Sequence, residues 1–105
     1  MNHVWISTAD GDLLRADRIR QINSAEGVRV VAIDGSQFLV AEVDGRQAGM
    51  AVARGLACAI AEASAWSFAA EIDVVGDGEG EGEGWQVRLR PMPEHRTVVE
   101  NATRT

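Results

Sequence analysis

The chain has 105 residues, 46% of them apolar, which suits one domain with one modest core. Ten arginines and no lysine stand against sixteen acids, a formal charge of −6, which disfavours nucleic-acid and anionic-lipid partners and excludes Schiff-base chemistry on lysine. One cysteine, Cys58, and two histidines, His3 and His95, are too few for an internal disulfide or a four-ligand zinc site, so no metal or cofactor is expected.

Val4-Trp5-Ile6 is a short run of strand formers, closed by a turn around Asp10-Gly11. Met1 to Trp5 carries no charged leader, and no apolar run reaches about 18 residues, so the expected address is the cytoplasm, with no membrane partner. Leu13-Leu14 leads through Ala16-Asp17 into Arg18-Ile19-Arg20-Gln21-Ile22, whose irregular apolar spacing predicts a short strand with a bend or bulge near Asp17. Val28 to Ile33 has branched residues at both parities and reads as a central strand covered on both sides. Asp34-Gly35-Ser36 turns it into a second strand, Gln37 to Val43, as an antiparallel hairpin.

From Arg46 to Ala65 the pattern becomes helical, with Val52, Leu56, Ile60 and Ala63 at three- and four-residue intervals. Gly49, Ala53, Ala57 and Ala61 form one stripe without side-chain bulk, and Ala51, Gly55, Ala59 and Ala63 form another, so the helix backbone can approach other elements closely. Phe68 to Val74 and Trp85 to Leu89 then alternate as two half-buried strands. Pairing them with residue numbers that sum to 161 sets Ile72 opposite Leu89 and Val74 opposite Val87, with Asp73 on Arg88 and Glu71 on Arg90 on the wet side. Residues 76–84 between them alternate glycine with acid and predict a mobile acidic loop, and Pro91-Met92-Pro93 ends the domain at 92 before a disordered tail at 93–105.

The stretch Trp5-Ile6-Ser7-Thr8-Ala9-Asp10-Gly11-Asp12-Leu13-Leu14-Arg15-Ala16-Asp17-Arg18-Ile19, followed by a hairpin and an alanine-rich helix, resembles small uncharacterised bacterial and phage proteins built as a β-meander plus one helix. The resemblance spans residues 4–63 and implies that fold, with no catalytic residues to carry over.

Candidate chemistry is sparse. Asp73, Asp77, Glu79, Glu81 and Glu83 offer oxygen ligands to calcium, but a Gly-Glu alternation lacks the preorganised turn and closing carboxylate of a calcium loop. Six acids and no base lie between Glu71 and Glu83, while ten acids balance ten arginines elsewhere. Asp77, Glu79, Glu81 and Glu83 therefore form a candidate patch for a basic protein, as in an acidic decoy or inhibitor. Cys58, Ser7, Ser24, Ser36, Ser64 and Ser67 are candidate nucleophiles, yet His3 and His95 sit near the chain ends, where no preorganised base is expected.

Asp10, Asp34 and Asp44 are turn formers beside glycine, and Asp17 fits a backbone hydrogen bond at a bend. Arg15, Arg18, Arg20 and Arg29 are interspersed with acids, as on a mixed, solvated face. Trp5, Trp66, Trp85, Phe38 and Phe68 read as core anchors, with Trp66 and Trp85 also candidates for an interface.

The sequence therefore predicts an α+β domain: an antiparallel meander of about four strands, one long helix, and a C-terminal hairpin with an acidic tip. One helix leaves the second face of the Val28 to Val43 hairpin without cover, which predicts a homo-oligomer meeting through that sheet or along Gly49, Ala53 and Ala57. The expected role is a non-catalytic interaction or assembly module, with the acidic decoy as one alternative and a weak metal or small-molecule binder as another.

Overall fold

A computed structural model describes residues 3–76 and 84–92. The fold is α+β, with seven strands in two sheets and one long helix. Strands β1 (Val4–Ser7) and β2 (Leu13–Arg15) form a hairpin closed by Thr8, whose Oγ1 accepts the Asp12 N–H at 3.0 Å. A single 3-10 turn at Ala16–Arg18 redirects the chain into β3 (Ile19–Asn23), so the bend expected near Asp17 is a helical turn. A register shift between Ile19 and Gln21 adds the bulge.

Strands β4 (Val28–Ala32) and β5 (Gln37–Ala41) complete a three-stranded sheet in the order β3-β4-β5. Its hairpin turns at Asp34-Gly35: the Asp34 carboxylate accepts the Ser36 N–H at 2.9 Å, and Gly35 takes φ +94°, where an L side chain is strained. The Ser36 N–H also holds the Asp34 carboxyl below its ordinary value.

Helix α1 (Arg46–Ser64) follows, and then β6 (Ala70–Val75) and β7 (Gln86–Pro91). The β6–β7 pairing is the one the sequence predicts: Ile72 faces Leu89, Val74 faces Val87, Asp73 faces Arg88 and Glu71 faces Arg90. This hairpin does not lengthen the meander. It joins β1 by a parallel pairing, Val4 with Ala70 and Ile6 with Ile72, to make the second sheet, β2-β1-β6-β7. The meander is therefore shared between two sheets, which the 3-10 turn links at their β2 and β3 edges.

The core lies where α1 meets both sheets. Val4, Ile6, Ala70 and Ile72 turn one face of the four-stranded sheet inward, Val28 and Val30 come from β4, and Leu56 from α1, all with no solvent exposure. Helix residues Gly49, Val52, Leu56, Ala59 and Ala63 make the inward stripe.

The β4–β5 hairpin corrects one expectation. Its inner face carries Ile22, Val30 and Phe38 in register across the three strands, while its other face carries Gln21, Val31 and Gln37, and Asn23, Arg29 and Leu39. Val31 is only 6% exposed, yet the residues beside it are two exposed glutamines, whose stems shield an apolar neighbour while their amides stay wet. The second face is thus mixed: it carries glutamines and Arg29 beside Val31, and Ile33, the next residue of that parity, stays 60% exposed.

Candidate functional site

The small-residue stripe of α1 is partly used inside the chain. Gly49 is buried, and a Cβ there would lie 3.2 Å from the Ser24 carbonyl oxygen. On the other flank, Gly55 approaches Val87 of β7 so closely that a Cβ would sit 3.1 Å from its methyl. Of the residues expected at an interface, Ala53 is half-buried and Ala57 exposed.

Trp66 and Trp85 also have partners within the chain. Trp66 is half-buried and stacks on Phe68, with ring centroids 4.8 Å apart, and Phe68 stays half exposed. The Trp85 indole lies over Gly76, where a Cβ would meet ring carbons at 2.6–3.0 Å. Trp85 thus closes the base of the β6–β7 hairpin. Asp77, Glu79, Glu81 and Glu83 lie outside the described residues, as do His95 and the tail at 93–105.

Cys58 is exposed on α1, and the His3 ring Nε2 lies 3.0 Å from the Ala63 carbonyl oxygen, tied to the end of the helix. Asp17 pairs with the Arg15 side chain at 3.2 Å, without hydrogen-bond alignment, in place of the expected backbone bond. Among the described residues, no three His, Cys, Asp or Glu side chains come together as metal ligands would. No helix there is long and apolar enough to cross a membrane.

The outer face of the β6–β7 hairpin is a closed charge ladder. Arg88 donates two hydrogen bonds to Asp73, at 3.1 and 2.7 Å, and Arg90 lies 3.4 Å from Asp73 and 3.7 Å from Glu71. The Arg88 hydrogen bonds hold the Asp73 carboxyl below its ordinary range, and Asp73 in turn raises the Arg88 guanidinium. Charges that satisfy one another in this way offer little to a ligand.

A concave surface lies between β3 and α1. One cleft of 690 Å³ is bounded by Gln21, Ile22, Asn23 and Ser24 on the strand side and by Arg46 and Met50 on the helix side. A second, of 340 Å³, shares Gln21 and Ile22 with it and continues past Ile19 to Ala57, Ile60 and the buried Ala16 at the 3-10 turn. Together they form a trough along β3, which among the described residues is an edge strand paired with β4 alone. Three elements converge to make it, so no single motif in the sequence announces it. The one local sign is the spacing of Ile19 and Ile22, which breaks strand alternation because the bulge sits between them.

No protein-family model, curated protein or solved structure matches the chain.

Proposed function

We propose that this protein is a non-catalytic interaction module that docks an extended segment of a partner polypeptide in the trough between β3 and α1. The observation that carries this reading is the pairing of an open strand edge with an apolar floor: the free side of β3 runs beside Ile19, Ile22, Ala57 and Ile60. An edge strand supplies backbone donors and acceptors to an incoming chain, and a small residue such as Ala57 leaves it room. A histidine held on a helix carbonyl, and a Ser64 hydroxyl that donates to the Ile60 carbonyl, support a binding role over a catalytic one. The single cysteine fits a cytoplasmic address.

With a mixed outer face on the β4–β5 hairpin, we take a partner of different sequence, rather than a second copy, as the occupant. Selection of a displayed random-peptide library on the full chain tests this. Peptides that compete with one another for one site are expected, and Ala57→Trp, which fills the trough from an exposed position, should lose them at an unchanged melting temperature. Peptides that bind wild type and Ala57→Trp alike would overturn the reading.

A further inference from the structure

Arg20 on β3 and Arg46 at the start of α1 both line the trough. Among the described residues neither has a carboxylate partner, since the ion pairs there involve Arg15, Arg88 and Arg90. Arg20 donates its Nε–H to the Ala32 carbonyl at 3.3 Å, which steadies the base of the guanidinium and leaves its terminal N–H groups for another acceptor. Among the described residues, no aspartate or glutamate lines either cleft, in a chain whose net charge is −6. The contrast with the next concavity is sharp: the 400 Å³ cleft on the other side of the loop that ends at Gly45 is lined by Glu26, Glu42 and Asp44, with Arg29 as its one cation. The trough thus carries two arginines and the neighbouring cleft three acids.

We infer that the docked segment is acidic: an extended polypeptide that adds along β3 as a fourth strand, its apolar side chains on Ile19, Ile22 and Ala57 and its carboxylates on Arg20 and Arg46. This rests on the trough being the docking site and specifies the chemistry it takes. A sequence that alternates apolar and acidic residues gives such a strand both kinds of side chain within the length of β3. A second copy docked by two-fold symmetry is disfavoured, because it would set one arginine-bearing trough against another.

The test is an NMR titration of the 15N-labelled full chain with three synthetic peptides of about eight residues, enough to span a strand the length of β3. The first alternates valine and glutamate, the second replaces glutamate with glutamine, and the third is the first with every second amide N-methylated. The glutamate peptide should move the amide signals of Gln21, Ile22, Ala57 and Ile60, and the glutamine peptide should bind about tenfold more weakly or worse. N-methylation should abolish binding, Arg20→Gln and Arg46→Gln should each weaken it about three- to fivefold, and added salt should weaken it further.

Equal affinity for the glutamate and glutamine peptides, with shifts in the trough, overturns the acidic preference and leaves the docking reading standing. Undiminished binding of the N-methylated peptide overturns strand addition. Trough signals that move with protein concentration alone identify a second copy as the occupant and overturn the proposal. Shifts confined to the outer face of β6–β7, or none with any peptide, overturn both proposal and docking reading.

Discussion

The two hairpins that frame α1 have opposite sequence signatures and the same architecture. β4–β5 is branched and apolar at both parities, whereas β6–β7 alternates apolar with charged residues. In the fold each has one core face and one mixed face. On β6–β7 the outer face is settled within the hairpin, by Arg88 on Asp73 and Arg90 on Glu71. On β4–β5 it is settled by the cross-strand neighbours, which place Gln21 and Gln37 on either side of Val31. A strand read alone reports its own side chains, while the character of a sheet face belongs to the row that crosses it.

Substitutions at matched positions sharpen this comparison. Ile72→Ala and Val30→Ala, both on inner faces with no exposure, should each cost about 2–4 kcal/mol in urea unfolding, the largest effects expected. The two turns come next. Gly76→Ala should cost about 1–2 kcal/mol by displacing the Trp85 ring, detectable as a change in tryptophan fluorescence. Gly35→Ala should cost about as much through backbone strain alone, with fluorescence unchanged, because nothing lies within 4 Å of a Cβ there.

Val31→Ala should cost only about 1 kcal/mol, because Val31 stands outside the core cluster and its cross-strand neighbours are Gln21 and Gln37. A cost as large as that of Val30→Ala would mean that something else covers the outer face, and the case for a second copy would return.

Asp73→Asn should have the smallest effect at pH 7, below about 1 kcal/mol, since the pair is exposed on the arginine side. Its sign follows from the lowered Asp73 carboxyl. That stability is present above the carboxylate's unfolded value and is lost as pH falls through its depressed folded value. Wild type and Asp73→Asn should therefore converge in acid, and a gap that persists at about pH 2 would assign the loss to packing instead.

Much of the local structure is legible in the sequence. The β6–β7 register follows because one alignment satisfies the apolar and the charged rows together, and the β4–β5 turn follows from the demand of Asp34-Gly35 for positive φ. The extent of α1 follows from the change of period after Gly45. The parallel pairing of β1 with β6 is not legible, since no turn joins the two strands and each reads equally well as any sheet's member. The glycines of α1 announce close approach without naming what approaches, and Gly49 and Gly55 turn out to meet Ser24 and Val87. Arg20 and Arg46 lie far apart along the chain, so their shared place in the trough is a product of topology alone.

The parallel contact of β1 with β6 sets the order in which the molecule can be made. Val4 is laid against Ala70, so during synthesis the first strand leaves the ribosome well before the strand that flanks it exists. The three-stranded sheet, by contrast, is built from near neighbours in sequence. Nascent β1 thus spends the interval with one hydrogen-bonding edge unpaired. The rate of refolding should be governed by this last closure, and shelter of Val4 to Ser7 until β6 arrives would act on that step.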